Sequence, residues 1–257
     1  VTFRFLASGF GVSIISCSRY FLKKGSRILA SLESTVNSNK IKIMLFGVVV
    51  FVGLVVTGLV FTGEKFHIDQ KVLQKAQEKY GQEARMRLVS WEDILKNEGG
   101  PDREKLEKIN SFFNKKIVFV NDIDLYGTKD YWATPVEFLS RGAGDCEDYA
   151  IAKYFSLKLM GVPEEKLRIA YVKALQYNIF HMVMLYYSNP GAEPLILDSL
   201  VDSINPASQR RDLLPIFTFN GAGLWLAHDR GQGKLAGKSS RLAAWNDLLQ
   251  RMAGTGI

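Results

Sequence analysis

Cys146 opens a helix-forming run, Cys146-Glu147-Asp148-Tyr149-Ala150-Ile151-Ala152, directly after the breaker Gly142-Ala143-Gly144. A thiol in the first turn of a helix meets unpaired backbone N–H groups and the positive end of the helix dipole, both of which favour the nucleophilic thiolate. Such a nucleophile also needs a base and a group to orient that base. His181 fits the first role, because it sits in Ile179-Phe180-His181-Met182-Val183 among apolar neighbours that give a histidine no structural duty. Asp198, in Leu195-Ile196-Leu197-Asp198-Ser199-Leu200, falls in the next strand-like run and fits the second. If the two runs pair as a hairpin, carboxylate and imidazole meet on one face, and the other ring nitrogen is left to take the thiol proton. Taken singly, each residue has a plainer reading: a buried Cys is commonly an inert small hydrophobe, a His can be satisfied in a core, and an Asp can cap a turn. Helix-start Cys, then strand His, then strand Asp in one domain is what argues for chemistry.

Asp145, Glu147 and Asp148 place three carboxylates within two residues of that thiol, which should raise its pKa against the helix effect. A hard cation would offset them, and clustered carboxylates at a loop-to-helix turn suit Ca²⁺, although the Asp-x-Asp-x-Asp-Gly spacing of an EF-hand loop is absent. The plainer alternative is that the acids complement the helix N-terminus. Zinc is not expected, since Cys146, the one Cys after residue 63, and the scattered His67, His181 and His228 offer no ligand spacing. Gly142-Ala143-Gly144 and Gly221-Ala222-Gly223 lack the continuation of a nucleotide loop and read as turns. An oxyanion would be met by the Cys146 backbone N–H and one upstream side-chain donor, for which Trp132 is the candidate.

The elements that must position these residues can be read coarsely. His67 to Gly99 is periodic enough for a pair of helices, the second starting at Ser90-Trp91-Glu92-Asp93, which resembles a capping box. A stronger helix follows from Arg103 to about Asn114, with Leu106, Ile109, Phe112 and Phe113 on its apolar side, and then a short strand from Ile117 to Val120. Thr134-Pro135-Val136-Glu137 combines a cap, Pro at the first helical position and a Glu three residues on, predicting a short helix to about Ser140. The Cys146 helix runs to Met160 and closes at Gly161 and Pro163. Strands are expected at 167–174, 179–187 and 194–200, the last two joined by the turn Ser188-Asn189-Pro190-Gly191. The Gly/Lys-rich 229–239 stretch reads as a loop before a final helix from Ser240 to Met252.

The net charge of +7 is concentrated at the N-terminus: residues 1–42 hold seven Lys/Arg against Glu33 alone, leaving 26 bases and 25 acids in the remaining 215 residues. A nucleic-acid-binding body is therefore excluded, because no basic excess remains to neutralise phosphates. Ile43 to Gly63 then runs 21 residues without a charge, enough at ~1.5 Å per residue to cross a ~30 Å hydrocarbon core. Preceding bases place the N-terminus in the cytoplasm and the rest of the chain outside, the periplasm in a bacterium. No Ala-x-Ala-type cleavage site follows, which favours a retained anchor over a cleaved signal. The organisation expected is thus a basic stretch (1–42), a membrane segment (43–63) and an exported domain (64–257). Cys17 and Cys146 fall on opposite sides of the membrane, so Cys146 is a lone thiol in an oxidising compartment.

Gly144-Asp145-Cys146-Glu147-Asp148-Tyr149-Ala150, then Phe180-His181-Met182-Val183 and Leu197-Asp198, resemble the bacterial transglutaminase-like cysteine proteases of the LapG type, over about Trp91 to Leu226. The resemblance implies an α+β papain-like fold of N-terminal helices and an antiparallel sheet, here preceded by a membrane segment, with Cys146, His181 and Asp198 as the triad. It also implies calcium dependence, with Asp145, Glu147 and Asp148 as matching acids, and a periplasmic endopeptidase. Such enzymes clip the N-terminal region of a large surface adhesin at an Ala-Ala-type site, promoting biofilm dispersal, and are restrained by an inner-membrane receptor that senses cyclic di-GMP. The competing readings are a transglutaminase or amidase of the same fold and a catalytically inert binding module.

Overall fold

The computed structural model describes residues 66–96, 99–226 and 233–255. The basic stretch, the 43–63 run and Cys17 lie outside them. No helix among the described residues is long and apolar enough to cross a membrane.

Helices α1 (Gln70–Tyr80) and α2 (Gln82–Leu95) meet at Gly81, whose φ of 84° turns the chain where a residue with Cβ would be strained. The pair is as expected, but its junction is not. Ser90 to Asp93 lies inside α2 and starts nothing, because Trp91 and Leu95 continue the buried stripe begun by Ala84 and Leu88. Helix α3 (Asp102–Lys116) buries Leu106, Ile109 and Phe113, with acids in its first turn and lysines in its last. Strand β1 (Val118–Phe119) and the short helix α4 (Asp122–Tyr126) follow. Helix α5 (Pro135–Arg141) has the full reciprocal capping box of Thr134 and Glu137, and Gly142 ends it at φ 71°.

Strand β2 (Ala143–Gly144) pairs in parallel with β1 and delivers the chain into α6 (Cys146–Leu159). Most of α6 is buried, with the polar Asp148, Lys153 and Ser156 among its buried residues. Its neighbours grip it along its length. Trp91 Nε1 donates to Ser156 Oγ at 2.8 Å, and Lys105 Nζ donates to the Met160 carbonyl at 2.7 Å, satisfying an acceptor that the helix end leaves open.

The sheet contains β3 (Leu167–Ala174), β4 (Ile179–Tyr186), β5 (Leu195–Leu197), β6 (Asn205–Pro206), β7 (Leu213–Phe219), β8 (Leu224–Leu226) and β9 (Lys234–Gly237). Its order is β6-β5-β4-β3-β7-β8-β9, and each neighbouring pair is antiparallel. One face packs Leu167, Ile169, Met182 and Met184 into the helical core, while Ala170, Val172, Val183 and Leu185 bury the other beneath Ala207 and Leu213. The mixed helix and antiparallel-sheet architecture is the expected one, with two departures. β7 and β8 were not legible as strands, and part of the presumed 229–239 loop is strand β9, whose partner β8 supplies hydrogen bonds that no local propensity reveals. Helix α7 (Ala243–Thr255) closes the described chain.

Candidate active site

Cys146 and His181 line one cleft of about 690 Å³, together with Trp132, Asp145 and Glu147. Strand pairing sets the histidine. The β4–β5 register matches Met184 with Leu197, so its continuation would put Leu200 opposite His181, with Asp198 two residues back on the same side. β5 stops at Leu197, earlier than the 194–200 strand expected, and the Asp198 carboxylate explains why. Its Oδ1 accepts the Leu200 N–H at 3.0 Å, bending the chain out of the ladder. The same oxygen meets His181 Nε2 at 2.7 Å, and Oδ2 accepts from Arg210 Nη2 at 2.8 Å. Both His181 and Asp198 are buried. Burial alone would raise the Asp198 pKa, but the bond to His181, assisted by Leu200 and Arg210, holds it at about 2. Against an ionised carboxylate the 2.7 Å contact is donated by Nε2–H, the tautomer that leaves Nδ1 as the acceptor.

The half-buried Cys146 donates to Glu147 Oε2 at 3.1 Å. Burial pushes its thiol well up, Glu147 and Asp145 add to this, and the Met182 N–H opposes it. The helix-start location is thus as expected, yet burial, with the carboxylates beside it, works against the thiolate.

Asp145 occupies the N-cap of α6, but its side chain makes no capping bond. Glu147 and Asp148 lie in the first turn, where acids complement a helix N-terminus, but Asp145 adds no side-chain cap to it. Asp148 is fully buried and accepts the Ala133 N–H at 2.7 Å through Oδ1. Asp145 Oδ1, Asp148 Oδ2 and Asp122 Oδ1 are buried without a partner. Oxygens of these three residues lie within 4.8 Å of one another, and those of Asp122, Asp130 and Glu147 form a second such group. Burial raises Asp145 to about 8, helped by Glu147, and Asp122 to about 6; it also raises Glu147, and Asp148 well above the usual carboxylate range. Orphaned, mutually repelling buried oxygens are a fit for a hard divalent cation, which would satisfy all of them at once.

Asp122 and Asp130 were missed at the sequence level. The density of acids over 122–130 was the available signal, but nothing local brings that loop to the α6 start. The tertiary link is β1–β2 pairing, together with the Tyr131 N–H donated to Asp122 Oδ2. Trp132 lies in the cleft as expected, but its indole N–H donates to Asp130 Oδ1 at 2.8 Å, so it reaches an oxyanion only by giving up that bond.

Gly144 is held to glycine by this site. A Cβ there would collide with Asp148 Oδ2 and come within 2.7 Å of the buried Phe138 ring. Gly144→Ala is expected to lower stability by about 1–3 kcal/mol, read as a fall in Tm with a loss of any cation-induced stabilisation. An unchanged Tm would show that the neighbouring side chains yield freely.

Residues 79–211 match the family described as bacterial transglutaminase-like cysteine proteinase. Legionella pneumophila LapG treated with EGTA is 42% identical, with a TM-score of 0.64, covering 73% of this chain and 99% of that one. The calcium-bound form of Legionella pneumophila LapG is 43% identical, with a TM-score of 0.61, covering 72% and 99%. No curated protein matches the chain. With the family match spanning Cys146, His181 and Asp198, the chain belongs to the bacterial transglutaminase-like cysteine proteinases, as a member of the LapG type.

Proposed function

We propose that the protein is a calcium-dependent periplasmic cysteine endopeptidase with Cys146 as nucleophile, His181 as general base and acid, and Asp198 as the orienting carboxylate. The observation that carries this reading is the buried His181–Asp198 contact at 2.7 Å, opening onto the cleft that holds Cys146. Cys146 Sγ attacks a peptide carbonyl carbon as its proton passes to His181 Nδ1. His181 then protonates the leaving amine nitrogen as the C–N bond breaks. A water molecule, deprotonated by His181, cleaves the thioester and restores the thiol. The Cys146 N–H faces the developing oxyanion, and Trp132 is the candidate second donor.

Asp145, Glu147 and Asp148 would hold calcium, joined by Asp122 and Asp130. The supports are their orphaned oxygens and the calcium-bound state of the Legionella relative. When bound, calcium supplies positive charge that lowers the cost of a thiolate beside these carboxylates. Glu147, engaged in that role, no longer competes with His181 for the thiol proton.

The substrate is the N-terminal region of a large surface adhesin, cut at an Ala-Ala-type site, so that scission promotes biofilm dispersal. Control falls to an inner-membrane receptor sensing cyclic di-GMP. These assignments rest on the LapG-type membership. The 43–63 segment anchors the 64–257 protease domain to the inner membrane, a placement supported by its 21 uncharged residues and the basic stretch before them.

The test is digestion of an adhesin N-terminal fragment with calcium, with chelator and with Cys146→Ala, read by intact mass. Two fragments whose summed mass exceeds the parent by one water, formed only by the wild type with calcium, are expected. A cross-linked product would assign acyl transfer instead. No scission together with a Cys146 inert to iodoacetamide would assign a binding module.

A further inference from the structure

Lys153 lies on α6 seven residues after Cys146, about two turns along the same side of the helix. Its side chain is completely buried, and no salt bridge involves it among the described residues. The ammonium donates to Asn110 Oδ1 at 2.8 Å, to Asn114 Oδ1 at 2.7 Å and to the backbone carbonyl of Asp198 at 3.0 Å. Both asparagines turn their amide nitrogens to the same segment of chain. Asn114 Nδ2 donates to the Asp198 carbonyl and to Asp202 Oδ1, each at 2.9 Å, and Asn110 Nδ2 donates to the Asp202 carbonyl at 2.7 Å.

A buried ammonium is costly, and a methionine would fill much of this space without that cost. The cost is visible, since burial pushes the Lys153 pKa down to about 7 although Asp198 and Asp202 act to raise it. What methionine lacks is donors. Asp198 stands one residue beyond β5, so no sheet ladder fixes its backbone, and its carbonyl is held by Lys153 and Asn114. Arg210 holds the carboxylate of the same residue from the other side.

We propose that Lys153 is a positioning residue, which ties the Asp198 main chain to the helix carrying Cys146 and so fixes where His181 stands relative to the thiol. The inference rests on the Cys146, His181 and Asp198 reading. One rigid helix then sets both ends of the proton path: its first turn presents the nucleophile, and its third turn anchors the residue that orients the base. Asn110 and Asn114 of α3 complete the anchor and fix the ammonium's direction.

The experiment uses the full chain and Lys153→Met. It reads kcat and KM on an adhesin N-terminal fragment, the rate of Cys146 alkylation by iodoacetamide, and Tm. Expected are a kcat lower by about ten- to a hundredfold, a KM within about twofold of wild type and slower alkylation, as for a misplaced catalytic group. A folded Lys153→Met with wild-type kcat and alkylation overturns the inference. So does a variant whose only change is a lower Tm. If Lys153→Met does not fold, Asn114→Ala decides: it removes one donor from the Asp198 carbonyl and one partner from Lys153, and an unchanged kcat there overturns the inference. Asp198→Asn separates the two levels. A fully active Asp198→Asn overturns the triad itself, whereas an inactive one beside a fully active Lys153→Met overturns only the positioning role.

Discussion

Cys146→Ala should yield a folded protein whose cleavage rate falls by on the order of 10⁴-fold or more, because the covalent route disappears and only binding and charge stabilisation remain. The structural cost is small. Cys146 is half-buried at the rim of the core and donates to the neighbouring Glu147, so deleting Sγ should change stability by about 1 kcal/mol or less. The change should in fact remove a donor from a carboxylate group that repels itself, without touching the His181–Asp198 pair. Thermal unfolding and intact-mass digestion on the same sample check both halves. Full cleavage by the variant would remove Cys146 from the mechanism. Loss of activity with loss of fold would be settled by Cys146→Ser, which keeps the shape and replaces the nucleophile with a much poorer one.

Asp148→Asn should act in opposite directions with and without calcium. In calcium-free protein the Asp148 carboxylate is fully buried, with Oδ2 unpartnered and Asp145 and Asp122 adding repulsion. Asparagine keeps an oxygen for the Ala133 N–H and removes the charge. The variant should therefore be more stable than wild type by about 1 kcal/mol or more, visible as a Tm higher by a few degrees. With calcium at a hundredfold excess over its Kd, the wild type should gain about 2.7 kcal/mol by binding to the folded state alone. The variant lacks one anionic ligand and should gain much less, so the order of the two Tm values inverts. Unfolding scans in calcium and in EGTA measure this directly, without a substrate. An equal calcium shift in both proteins would place the ion elsewhere. No shift in either would leave the acids as an uncompensated cluster and remove calcium from the site.

Of the site, the sequence determined the pieces that depend on local rules. A thiol after a Gly-Ala-Gly break at a helix start, a histidine among apolar neighbours in a strand-like run and an aspartate in the next run are all visible in residue order, and the structure places Cys146 and His181 at the cleft with Asp198 against the imidazole. The α5 capping box and the 167–174 strand were equally legible, since a capping box and a short strand-like run bounded by turn signals are set by residues a few positions apart. What only the tertiary structure decided has one physical cause, which is that the deciding partner is remote in sequence. Strand β9 exists because β8 pairs with it across an intervening segment. The helix at Ser90 is continuous because Trp91 and Leu95 are buried by the core, which outweighs a capping signal worth about 1 kcal/mol. Asp122 reaches Asp145 and Asp148 through β1–β2 pairing. Arg210 and Lys153 carry no motif at all. They matter because folding brings an arginine to the Asp198 carboxylate and a buried lysine to its carbonyl, where low-dielectric surroundings make each of those bonds count.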